Sequence, residues 1–171
     1  ETEARMVYCK QFPINSAGRR VRFFDVTSYA MEALRESSVR NGILVAYSQH
    51  TSCSVFIQED SEDKTFWDVP LVLQDMLNIF DKIVPLCVNE GQYLHPGPIH
   101  TENAVQLRNE QKAWLLNTDA HLRSVMLGRS ESIPIVDGEL ILGEFGRIYF
   151  ADFDQTRDRD RCFRVQIVGE K

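Results

Sequence analysis

The chain has 171 residues, 43% hydrophobic and 26% charged, a size and balance that fit one soluble domain with a core of its own. Its formal net charge of -6 argues against general nucleic-acid binding, which needs a basic surface to neutralise phosphates. No stretch approaches a membrane span and ETEARMVYCK does not read as a signal peptide. The four cysteines, Cys9, Cys53, Cys87 and Cys162, form no CxxC pair. A reducing, cytoplasmic setting with no membrane partner is the expectation.

Two strands are predicted first, MVYCKQF (6–12) and RRVRFFDV (19–26), separated by the turn-prone NSAG. TSYAMEALRESSV (27–39) has a rough helical period, with Thr27 or Ser28 to cap it and Asn41-Gly42 to stop it. GILVAYS (42–48) is a continuous apolar run, the pattern of a strand covered on both faces. After HTSC (50–53) comes another strand, SVFIQE (54–59). A second helix is expected over about 68–83, capped by Asp68, with Leu71, Met76, Leu77, Phe80 and Ile83 as its buried stripe. Residues 86–116 show no clear period and read as an inserted or mobile loop. A third helix spans about 118–128, stopped by Gly128. From Ser132 onward only strands are expected, beginning with a hairpin on Asp137-Gly138 and continuing as an antiparallel meander. The class is α+β, with no linker to divide the chain.

Chemistry has four histidines to draw on, His50, His95, His100 and His121. His50 stands in HTSCS, whose small hydroxyl residues suit a strand end opening into a pocket, but whose composition favours a polar turn bonding its own backbone through Thr51 and Ser52. His95 and His100 lie five apart in a Pro/Gly loop, not at the spacing of a helical metal pair. NTDAH (117–121) supports two geometries. On a regular helix Asn117 is the cap, and Asp119 and His121 point about 200° apart. On an extended chain Asn117, Asp119 and His121 share one face. Arg157, Arg159 and Arg161 alternate with Asp158 and Asp160, the pattern of a solvated loop, although one guanidinium there is suited to a ligand phosphate.

Taken in order, these segments resemble the YjbQ-type family, also called the secondary thiamine-phosphate synthase family. The matching segments are ILVAYSQHTSCSVFIQED, MLNIFDKIVP, YLH (93–95), LNTDAHL, MLGRS and IPIVDGELILGEFGRIYFADFD, covering roughly residues 6 to 169. The resemblance implies an antiparallel or mixed β-sandwich with flanking helices, assembled as a homotrimer. It groups His50, His95 and His121 in one pocket beside Asn117 and Asp119, and leaves His100 without a counterpart. Such a pocket is fit for a divalent ion, zinc or magnesium, held by the three histidines, or for a phosphate-like anion. Asn117, Asp119 and His121 are then the catalytic candidates, with Thr51, Ser52 and Arg157 on the ligand. If the pocket forms, residues 117–121 enter the helix still extended.

The implied activity is thiamine-phosphate synthesis on phosphorylated small molecules. A metal-dependent hydrolase using the same pocket and a non-catalytic scaffold are the rival readings. Two departures bear on them. The link between YLH and NTDAH is expanded to residues 96–116, and Phe145-Gly146 stands where the family has Trp-Gln, removing a polar group expected near the pocket.

Overall fold

Side-chain alternation along strands sorts the apolar residues of this chain onto separate faces, and two antiparallel sheets result. The computed structural model describes residues 6–171. β1 (Met6–Ser16), β8 (Arg159–Glu170), β3 (Asn41–Ser48), β5 (Ser130–Val136) and β6 (Glu139–Leu140) make the larger sheet, in that order. β2 (Arg22–Asp25), β7 (Gly146–Asp152) and β4 (Cys53–Glu59) make the smaller one. Between the sheets lies the main core, where Leu44, Ala46, Ile133, Phe163 and Ile167 meet Val55, Ile148 and Phe150. The helix α1 (Thr27–Ser37) contributes Ala30, Ala33 and Leu34 to it. Alternate residues of the smaller sheet, Phe23, Phe56 and Tyr149, turn the other way with Phe153 just beyond β7, onto α2 (Leu71–Ile83) and α4 (Thr118–Leu127). Each large apolar side chain buried outright contributes about 1.5–3 kcal/mol, so this layering is the principal source of stability. The α+β sandwich is as the sequence implies.

Several local expectations are corrected. Helix α1 ends at Ser38, which takes φ 57, before Asn41-Gly42 is reached. Its N-cap position is Val26, with Asp25 just before it accepting the Thr27 N–H on Oδ1 at 2.9 Å, so neither Thr27 nor Ser28 is the cap. Asp68 lies outside α2 with φ 60, and Leu71 and Ile83 are exposed; Leu73 and Phe80 are the buried pair. β3 is covered on one face only, since Ile43 and Tyr47 point outward. The predicted C-terminal meander does not form. β7 crosses to the smaller sheet to pair with β2 and β4, while β8 pairs with β1 and β3. Gly42 and Gly169 face each other across β3 and β8, and a Cβ on Gly42 would meet the Val168 carbonyl oxygen at 2.2 Å.

The segment read as a loop holds a helix, α3 (Gly97–Arg108), and a 3-10 turn at Lys112–Leu115. Among the described residues no helix is long and apolar enough to cross a membrane.

Candidate functional site

The polar residues of HTS, NTDAH and the RDRDR run gather at one end of the molecule, where β4 begins and β7 ends. Cys53 pairs with Asp152 there, and the Phe153 N–H donates to the Ser52 carbonyl at 3.0 Å. Arg161 reaches in from β8 and binds Asp152 with two bonds, Nε to Oδ2 at 2.8 Å and Nη2 to Oδ1 at 3.0 Å. Its Nη2 also donates to the Ser52 Oγ at 3.0 Å. Arg161 and Asp152 are both almost fully buried, so removing one partner strands a charge at a cost of about 3–5 kcal/mol. This pair organises the end of the sandwich, and it occupies the Ser52 hydroxyl that sequence reasoning assigned to a ligand. The Thr51 side chain is exposed.

Asp154 is the second anchor. The Thr156 N–H and hydroxyl donate to its Oδ1, and Arg159 Nη2 and Asn117 Nδ2 donate to its Oδ2 at 2.9 and 3.2 Å. Burial, the largest single influence, pushes this carboxyl up, but the Thr156, Arg159 and Asn117 contacts together hold it below the usual range. Asn117 occupies the N-cap position of α4 without making a side-chain capping bond, because its amide is committed to Asp154. Arg157 turns to the inserted segment, its guanidinium 4.1 Å from the Trp114 ring centre and 3.5 Å from Glu110. Arginines 157, 159 and 161 therefore each have a carboxylate partner, which leaves Arg157 a tether of the insertion.

Helix α4 starts at Thr118, so NTDAH takes the helical geometry and the extended entry that the resemblance implied is not found. Asp119 and His121 accordingly serve different sides. Asp119 is buried, its Oδ1 accepting the Cys87 N–H at 3.2 Å while Oδ2 has no partner. Burial raises its pKa above the usual carboxylate value, against opposing contributions from Cys87, Arg123 and the first-turn N–H groups of α4. His121 turns to the HTS turn, where Nδ1 lies 3.1 Å from the Thr51 carbonyl oxygen. A carbonyl cannot donate, so Nδ1 carries a proton, and the neutral ring with this contact has its lone pair on Nε2. The residue that orients His121 is thus Thr51, through its main chain, and not Asp119.

His95 has the same tautomer for a related reason. Thr118 spends its single hydroxyl proton on the His95 carbonyl at 3.0 Å, so at its 3.0 Å contact with His95 Nδ1 the imidazole must be the donor. The Tyr93 hydroxyl fixes the preceding loop by donating to the Pro85 carbonyl at 2.5 Å. The His95 and His121 rings lie 5.7 Å apart, and His100, from α3, stands 5.1 Å from His95. Desolvation, then His121 and His100, lowers the His95 pKa, favouring the neutral ring. A cleft of about 550 Å³ between the 89–98 loop and the insertion opens beside this cluster, lined by His95, Thr101, Glu102 and Lys112 among others.

His50 is engaged elsewhere. Its Nε2 accepts the Cys162 N–H at 3.0 Å, which consumes the lone pair a metal would need. Among the described residues no group of three or more His, Cys, Asp or Glu side chains is placed to hold a metal ion. The set His50, His95 and His121 expected for zinc or magnesium is therefore not assembled within this chain. His100 takes the place beside His95 that sequence reasoning gave to His50.

A family model described as UPF0047 protein YjbQ-like matches residues 10–170. The chain belongs to the YjbQ-like family. A UPF0047 protein of Methanothermobacter thermautotrophicus is 31% identical over 164 residues, spanning 96% of this chain and 94% of its own. The YugU protein of Bacillus subtilis is 29% identical over 151 residues, 88% of this chain and 92% of its own. Among solved structures, an uncharacterized conserved YjbQ/UPF0047 protein of Clostridium acetobutylicum superposes with a TM-score of 0.68 at 26% identity, covering 92% of this chain and 98% of that one. A YbjQ-like protein of unknown function from Sulfolobus solfataricus gives 0.70 at 20% identity over 98% of this chain and 100% of that one, a likeness of fold.

Within the YjbQ-like fold the Phe145-Gly146 departure loses its bearing on this chain's own site. Gly146 pairs with Glu59 at one end of β4 and β7, and Asp152 pairs with Cys53 at the other, roughly 20 Å away at strand rise. The residues that sequence reasoning missed are Asp152, Asp154 and His100. FADFD carried a signal for the first two, since carboxylates flanking a buried Phe at alternate positions on a core strand require partners.

Proposed function

We propose that this YjbQ-like chain is an enzyme acting on a phosphorylated small molecule, with His95 and His121 as proton acceptors. One observation carries the reading: two imidazoles, their ring centres 5.7 Å apart, each have Nδ1 held by a neighbour, which directs Nε2 away from that contact. Side chains fixed in that tautomer are prepared to take a proton without reorganising first. The adjoining cleft supplies Lys112 as a cation for a phosphate and Glu102 as a hydrogen-bond acceptor. The reaction put forward is the one named by the sequence resemblance, thiamine phosphate formed from a pyrimidine diphosphate and a thiazole phosphate with loss of diphosphate. No step is assigned to a metal, because His50 does not join the other two histidines. We also propose that the working form is a homotrimer.

The test is a thiamine-phosphate synthesis assay on purified protein and on His95→Ala and His121→Ala. Loss of a positioned acid or base lowers turnover about 10²–10⁴-fold, and each variant is expected to fall in that range with its fold retained. No product from the wild type removes the named reaction, and unchanged turnover in both variants removes the histidine pair.

A further inference from the structure

We infer that a second ligand site lies on the far side of α4 from His121, and that it takes a small molecule carrying both an amine and an oxyanion. The site is a cavity of about 240 Å³ whose lining includes Arg19, Cys87, Asn117, Asp119, Gln155 and Thr156. It is separate from the histidine cleft, because positions 119 and 121 of a helix point about 200° apart.

The acceptor side of the cavity comes from Asp119. That residue is 1% exposed, one carboxylate oxygen is satisfied by the Cys87 N–H, and the other, Oδ2, has no partner. A buried polar atom left unpaired is costly, so native structures seldom keep one where nothing ever binds it. Arg123, the nearest cation on the same helix, is already committed to Asp81 and the Val84 carbonyl, so it does not fill the role. Asn117 adds to the same wall. Its Nδ2 is spent on Asp154 and the side chain makes no capping bond, which leaves Oδ1 a second acceptor. These two acceptors stand side by side in the cavity wall, and an amine or ammonium group can donate to both.

The opposite charge stands at the rim. Arg19 is exposed and makes no ion pair among the described residues. Its backbone is nevertheless fixed, with φ 76 and the Arg19 N–H donating to the Gln155 carbonyl at 3.0 Å. A guanidinium at the mouth of a cavity whose wall accepts hydrogen bonds suits a ligand with an oxyanion at one end and an N–H donor at the other.

The Cys87 amide is the reporter, since it donates to the same carboxylate. Titrations of labelled protein, followed by backbone amide resonances, use O-phosphoethanolamine and β-alanine, with glycerol 3-phosphate and propionate as counterparts lacking the amine. The expected result is saturable movement of the Cys87, Asn117 and Thr156 amides with at least one amine-bearing probe. Its counterpart binds at least tenfold more weakly, and Asp119→Asn weakens the probe at least tenfold. Arg19→Gln, at an exposed position, is expected to weaken it at least fivefold, which keeps the test decisive if the Asp119 variant does not fold. Absence of saturable shifts, equal binding of the counterparts, unchanged affinity in Arg19→Gln, or shifts centred on His95 and His121 each overturn the proposal.

Discussion

His50 accepts the Cys162 N–H through Nε2, so a proton added to that nitrogen arrives where a donor already points. Burial, followed by the nearby Arg161 charge, lowers the His50 pKa, and burial also lowers that of His95. In the unfolded chain both histidines titrate near 6.5. As pH falls, the unfolded state binds these protons first, so stability is fully present above about pH 6.5 and is lost as pH drops through the lower native values. Urea unfolding measured from pH 7.5 down to pH 5 should show that loss. In His50→Gln the amide oxygen replaces the acceptor for Cys162 and cannot titrate, so the decline should be flatter. An identical pH slope in wild type and variant would show that His50 does not contribute.

The insertion at 96–116 buries only Ala104 and Leu115 among its apolar side chains, so tethers carry much of its order. α3 buries only Ala104, and its apolar residues Ile99 and Leu107 are exposed, so no amphipathic stripe marks it in the sequence. Its hold on the body runs through Trp114 under Arg157 and through the Glu110–Arg157 ion pair. A cation over an aromatic face contributes about 0.5–2 kcal/mol, enough to order a segment but small against global stability. Trp114→Ala should therefore speed hydrogen exchange across 97–115 while leaving the strands protected; unchanged exchange there would refute the tether. This element shows where sequence reasoning reaches its limit. β1, β3, β4, α1, α4 and the Asp137-Gly138 hairpin were legible because one buried face imposes a period of two or of 3.6. α3 was not, having almost no buried face, and neither was the passage of β7 to the second sheet, since strand pairing is set by contacts far apart in sequence. The polar site was half legible: HTS, YLH and NTDAH do meet, but periodicity could not show that Asp119 and His121 face apart, or that Arg161 is spent on Asp152.

At the scale of the molecule, the outer face of the larger sheet is the surface a single chain leaves uncovered. Register places Val7 opposite Val168, Val168 opposite Ile43, and Ile43 opposite Pro134, so one apolar row crosses four strands. Val7 and Ile43 are 67% and 52% exposed, and Val136 extends the patch. The apolar run in β3 reads in sequence as a strand covered on both faces, and further copies of the chain would supply the second cover. Contiguous apolar surface of this kind favours association, and a closed ring of identical copies buries it without leaving an open edge. Ile43→Lys places a charge in the middle of the row while leaving the inner core untouched, because Ile43 points away from Leu44 and Ala46. Light scattering should give a trimer mass for the wild type and a smaller species for Ile43→Lys, with the unfolding transition of each variant chain still cooperative. A monomeric wild type at tens of micromolar would exclude the homotrimer. A trimer that persists in Ile43→Lys would instead place the interface on another surface, and the bare sheet would then need a different occupant.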